Sequence, residues 1–189
     1  FLAAGAIAFG AGCLARSRYE RDCLVTEEYR IVSEKIHGPE KTIVFLTDLH
    51  NKEFGDQNCR LLDAVRKVKP DAVLSGGDGM VAKKGNSDVE IPRKLLTELA
   101  KEFPVYCGNG NHECRMVWKS DIYGAAYENY QAALENAGIR YLANGSADLD
   151  GEIRIYGLDL PKSAYLPRSG EIPENLLKDA LGEPDPGRF

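Results

Sequence analysis

An aspartate and a histidine two positions apart, Asp48 and His50, close an otherwise apolar run from Thr42 to Asn51, T-I-V-F-L-T-D-L-H-N. A carboxylate oxygen and an imidazole nitrogen are donors for a divalent cation. If the backbone stays extended through Leu49, period-two alternation puts both side chains on one side, converging on one point. Two further polar clusters follow, Ser75-Gly76-Gly77-Asp78-Gly79 and Gly108-Asn109-Gly110-Asn111-His112-Glu113, each where a short apolar run gives out. Asp48, His50, Asp78, Asn111 and His112 make an oxygen and nitrogen donor set without thiolates. That set suits divalent Mn, Fe, Zn or Mg rather than a soft-metal or structural zinc site. Any one cluster alone is ordinary turn chemistry, because a strand-terminal Asp commonly caps the turn that follows. Three in succession, each at the end of an apolar run, point to a metal.

The elements that must position these residues are legible from apolar spacing. Ile43, Val44, Phe45 and Leu46 have no polar break and include two β-branched residues and an aromatic, which predicts a buried central strand. Alternation over Tyr29 to Ile36, followed by Gly38-Pro39, predicts a strand pairing with it as a hairpin at a sheet edge. Leu61, Leu62, Val65 and Val68 fall at helical spacing within 56–69, and Pro70 ends that helix. A strand over 71–74, a polar loop over 83–90, a helix over 91–103 and a strand over 104–107 follow. Further on come a helix over 123–137, a strand over 139–142, an Asp150-Gly151 turn between 147–149 and 153–157, and a last helix over 172–181. Strand and helix alternate, so the class is α/β with largely parallel order, and ligands then gather at the carboxyl ends of the strands. The later strands are expected to pair antiparallel, which makes the sheet mixed.

With 189 residues, 43% of them hydrophobic, the chain can bury a sizeable core. A net charge of -5 and a pI near 5.3 provide no electrostatic footprint for nucleic acid. The five cysteines, odd in number and without a C-x-x-C spacing, argue against a disulfide scaffold and a thiolate zinc site and read as free small hydrophobes. Phe1 to Ala15 carries no charge and is followed by Arg16, Arg18 and Arg21. As a helix it spans about 22 Å, short of the roughly 30 Å hydrocarbon core, and reads as the tail of a membrane-spanning or signal segment on an unspecified side of the membrane. The alternative is an Ala/Gly-rich helix packed on the domain. Residues 16–28 read as a charged linker and 29–189 as the domain. A start at Phe1 and a final Glu183-Pro184-Asp185-Pro186-Gly187-Arg188-Phe189 turn lead us to expect a fragment that continues into a further strand.

The set D-L-H at 48–50, G-D at 77–78 and G-N-H-E at 110–113, with blocks roughly thirty residues apart, resembles the calcineurin-like metallophosphoesterases. The likeness extends over about 42–160, and the Ile155-Tyr156-Gly157-Leu158-Asp159 stretch is similar to a strand in their membrane-associated branch. The resemblance implies a sandwich of two mixed β-sheets flanked by helices in α-β-β-α layers, incomplete at its C-terminus in this chain. It implies Asp48 and His50 as ligands of a first metal, Asp78 bridging two divalent metals, and Asn111 as a ligand of the second. His112 would stay off the metals and serve the phosphoryl oxygens or the leaving group, with Glu113 orienting it. The implied reaction is hydrolysis of phosphomonoesters or phosphodiesters, on a small molecule or a lipid, by a hydroxide between the two ions. The family pattern continues with a single His and then G-H-x-H, whereas this sequence holds only His37, His50 and His112. His37 reads as a solvated turn residue, and the missing ligands are expected past Phe189. The competing expectation is a membrane-anchored binding domain that keeps the fold without a complete dinuclear site.

Overall fold

The computed structural model describes residues 2–165 and 172–189. Helix α1 (Leu2–Asp22) comes first, and strands then alternate with helices: β1 (Ile43–Leu46), α2 (Cys59–Val68), β2 (Ala72–Ser75), α3 (Glu90–Ala100) and β3 (Val105–Cys107). Next come α4 (Asn111–Trp118), α5 (Ser120–Tyr123), α6 (Ala126–Asn136) and β4 (Arg140–Tyr141), then the pair β5 (Gly145–Asp148) and β6 (Arg154–Gly157), and finally α7 (Leu176–Leu181).

Strands β1 to β4 lie side by side in chain order, every neighbour parallel. An order without reversal, crossed each time with one hand, keeps the connecting helices on one face. There Leu61, Leu62 and Val65 of α2 pack with Leu95, Leu96 and Leu99 of α3, Met116 of α4 and Leu134 of α6 on Val73 and Val105. On the other face Ala72, Tyr106 and Leu142 meet Ala147, Leu149 and Ile155 of the antiparallel β5–β6 hairpin. Among the described residues the architecture is thus α/β, a parallel sheet and an antiparallel sheet with helices outside.

Several expectations change. β1 is an edge strand, and its alternation leaves Phe45 63% exposed while Val44 and Leu46 pack inward. The hairpin covers only the part of that face nearer β3 and β4, so an apolar run here does not mean burial on both sides. Residues 29–36 form no strand, and Tyr29, Ile31 and Val32 are exposed. The polar groups that follow are satisfied elsewhere, since His37 and Gly38 donate their backbone N–H groups to the Glu152 carboxylate. α1 runs unbroken to Asp22, so the first part of the charged stretch is helical. No helix among the described residues is long and apolar enough to cross a membrane. The antiparallel pair forms a sheet of its own, joined by a wider turn in which Asp150 accepts the N–H groups of Glu152 and Ile153. Gly124, at φ 59°, separates the short α5 from α6, and α6 is the helix expected over 123–137. Cys107 and Cys114, which bracket the third cluster, are buried free thiols, pushed up to about 12 by burial and so inert.

Candidate metal centre

Register places the three polar clusters together. Leu46 pairs with Ser75, Ser75 with Cys107 and Cys107 with Tyr141, so β1 to β4 end level and their following turns share one edge. The ladder continues past the strands: Asp48, His50 and Asn51 donate backbone N–H groups to the carbonyls of Gly77, Asp78 and Gly79, at 3.1, 3.0 and 2.9 Å. The first two turns are therefore zipped together before any side chain acts.

Extended backbone does not persist to His50. Asp48 (φ 55°), His50 (φ 49°), Asn51 (φ 59°) and Asp78 (φ 52°) all adopt left-handed conformations, which cost a non-glycine residue about 1–2 kcal/mol each. Asp48 and His50 converge because of that coil rather than through strand alternation. His50 Nε2 lies 3.7 Å from Asp48 Oδ1 and 3.9 Å from Asp78 Oδ2. Both separations exceed a hydrogen bond, yet two donors on one ion at metal–ligand distances of about 2.0–2.2 Å sit no more than about 4.4 Å apart. Ligand atoms of His50, Asp78 and His112 all fall within 4.8 Å of one another. The donor set thus fits a hard or borderline divalent cation, which His50 and Asp78 would hold, and the nearby Asp48 carboxylate is exposed.

His112 sits in the second residue of α4, where its own N–H donates to Asp78 Oδ1 at 2.7 Å. Its Nδ1 accepts the N–H of Ala82 at 2.9 Å. That bond requires Nδ1 to be unprotonated and leaves the imidazole proton on Nε2. Burial is the largest influence on this group and lowers its pKa, Asp78 opposes that, and Arg115 and His50 add to it. The ring meets that of His50 edge-on, with centroids 5.1 Å apart.

Glu113 does not orient His112. Its carboxylate, 1% exposed, accepts the backbone N–H groups of Asp78 (2.9 Å), Gly79 (3.1 Å) and Gly110 (3.0 Å). Burial raises this carboxyl above the usual range, while those N–H groups act the other way. A residue expected beside the chemistry is instead the clamp that holds the second turn against the third. The two turns touch so closely that a Cβ on Gly77, at φ 87°, would lie 2.0 Å from the Gly110 nitrogen. Gly77→Ala is therefore expected to cost about 3 kcal/mol or more, strain and backbone displacement together, read as a lower urea midpoint at unchanged slope.

Asn111 opens α4 half-buried, next to His112 in the chain. His37 is exposed, its backbone N–H held by the Glu152 carboxylate. Trp118 is half-buried and stacks on Tyr165, with ring centroids 5.4 Å apart. Two polar residues to which spacing assigned no role, Asn109 and Asp159, meet beneath the third turn, where Asn109 Nδ2 donates to Asp159 Oδ2 at 2.8 Å. The only sequence cue was their placement, one inside G-N-G-N-H-E and the other just after the last strand.

The pattern of the family described as calcineurin-like phosphoesterase matches residues 41–187, most of the chain and all three turns. No curated protein matches closely enough to count as a relative.

Proposed function

Because the chain belongs to the calcineurin-like phosphoesterase family, we propose that it hydrolyses phosphate monoesters or diesters at the sheet edge whose turns carry Asp48, His50, Asp78, Asn111 and His112. Divalent ions, once bound, supply the hydroxide nucleophile and offset the phosphoryl charge. The observation that carries the reading is the placement of the Asp78 carboxylate. One oxygen accepts the His112 N–H and the other faces His50. Asp78 can therefore serve two ions while the helix that carries His112 stays fixed to it. Asp48 and His50 hold the first ion in this proposal, and Asn111 is assigned to the second.

His112 acts beside the ions. Its Nε2–H, left free by the Ala82 bond, donates to a phosphoryl oxygen or to the leaving oxygen. A half-buried, neutral imidazole suits this role, since it donates without adding a charge next to the cations. His112→Ala is expected to lower turnover about 100-fold or more. Its metal content, measured by plasma emission, should stay near that of the unaltered protein. Loss of an ion instead would make His112 a ligand, as its place in the cluster also permits.

The test of the function is hydrolysis of bis(4-nitrophenyl) phosphate and 4-nitrophenyl phosphate with Mn²⁺, Zn²⁺ or Mg²⁺ titrated against chelated protein. Metal-dependent turnover is expected. Absence of turnover with fewer than two ions bound per chain would overturn the phosphoesterase reading and support the alternative, a binding domain without a complete dinuclear site. The substrate class stays broad, a phosphorylated small molecule or lipid. The uncharged composition of residues 1–15 supports a lipid-facing location, and co-flotation with phospholipid vesicles, lost on deleting those residues, is the expected result.

A further inference from the structure

The hydrogen bonds behind the third turn converge on one side chain. The Asn109 amide donates to Asp159 Oδ2 at 2.8 Å and to the Tyr127 hydroxyl at 3.0 Å, and its oxygen accepts from the Tyr141 hydroxyl. Tyr127 belongs to α6, Tyr141 to β4, and Asp159 follows β6. Asp159 is in turn held by its own N–H, which donates to Asn144 Oδ1 at 2.8 Å. Burial raises the Asp159 carboxyl, and its Oδ1 is buried without a partner among the described residues. A carboxylate kept at such a place, against its desolvation, has one evident task, the bond to Asn109.

What that bond holds leads directly to the metal centre. The Asn109–Gly110 peptide packs on the Gly77–Asp78 turn without space for a methyl group. A Cβ on Gly110 would lie 2.4 Å from both the backbone nitrogen and Oδ1 of Asp78. Rotation of Asn109 would therefore push on the carboxylate that accepts the His112 N–H and faces His50. Tyr127 and Tyr141 hold the same amide from α6 and β4, but among the described residues only Asp159 ties it to the second sheet.

We propose that Asp159 is a positioning residue for the metal centre: through Asn109 it fixes the Gly108–Gly110 turn, and with it the placement of Asp78 and His112. The proposal rests on the phosphoesterase reading for its activity arm only. Asp159→Ala removes one of the two acceptors of the Asn109 amide, the one beyond β6, whereas Asp159→Asn keeps a carbonyl oxygen there and deletes only the charge.

Amide hydrogen exchange of residues 108–113 in metal-free protein tests the positioning directly. About tenfold faster exchange is expected in Asp159→Ala, rates within about threefold of the unaltered protein in Asp159→Asn, and unchanged rates in α2 and α3. Asn109→Ala cuts the same bond from the other end and should loosen the same residues, so the test survives if Asp159→Ala does not fold. Exchange in Asp159→Ala at the unaltered rate, or in Asp159→Asn as fast as in Asp159→Ala, overturns the proposal, as does an Asn109→Ala variant with unaltered exchange. With Mn²⁺ and bis(4-nitrophenyl) phosphate, kcat should fall about tenfold in Asp159→Ala and recover in Asp159→Asn. If the unaltered protein shows no turnover, the phosphoesterase reading fails while the exchange result still decides the positioning.

Discussion

Asp78→Asn is expected to lower phosphoesterase turnover by about 1000-fold or more, roughly 4 kcal/mol of transition-state stabilisation, and to remove at least one bound metal ion. The substitution is nearly isosteric. An asparagine carbonyl still accepts the His112 N–H, and asparagine tolerates the left-handed backbone at this position as aspartate does. What disappears is the negative charge facing His50. The thermal midpoint of metal-free protein should therefore move by no more than a few degrees while activity collapses. Metal content by plasma emission and turnover of bis(4-nitrophenyl) phosphate, measured on one preparation, decide the matter. Two ions retained with near-normal turnover would refute the role given to Asp78.

Glu113→Gln is expected to act in the opposite manner, on the fold first and on the chemistry through it. Three backbone N–H groups converge on the Glu113 carboxylate. An amide in its place offers one oxygen and turns a second set of donors toward donors. At least one of these N–H groups, buried at Asp78 and part-buried at Gly79 and Gly110, is orphaned, so the cost is about 2–4 kcal/mol, or about 5–15 °C in midpoint for a chain of this length. Urea denaturation of metal-free protein reads it directly. A stability within about 0.5 kcal/mol of the unaltered protein would show that the clamp is dispensable. Because the clamp spans the Gly77–Gly79 turn and the Gly110 turn, metal affinity should weaken together with stability, unlike in Asp78→Asn.

The two predictions divide along what could be read in advance. Donor type and recurrence after apolar runs pointed to Asp48, His50, Asp78, Asn111 and His112, of which the structure brings ligand atoms of His50, Asp78 and His112 together, and the parallel α/β order was legible from strand and helix periods. Both are local properties, carried by residues within a few positions of one another. The role of Glu113 was not legible, because a buried carboxylate that accepts three backbone N–H groups depends on two turns some thirty residues apart being pressed together. Nor was the edge position of β1. An apolar run reports that a strand buries something, not how many neighbours flank it, and Phe45 remains exposed because the hairpin stops short of it. The strand expected over 29–36 failed on the same ground, since alternation over a few residues does not supply a ladder partner.

By itself, then, the sequence determined the chemistry available, a nitrogen and oxygen donor set on successive strand ends, because donor type and apolar period are written residue by residue. The tertiary structure alone decided the convergence. Level strand ends, four left-handed residues in the coil after β1 and β2, and two glycines packed nearly backbone to backbone bring His50, Asp78 and His112 within 4.8 Å. Those contacts join residues distant in the chain, and their energies come from burial and hydrogen bonding that exist only once the sheet has formed.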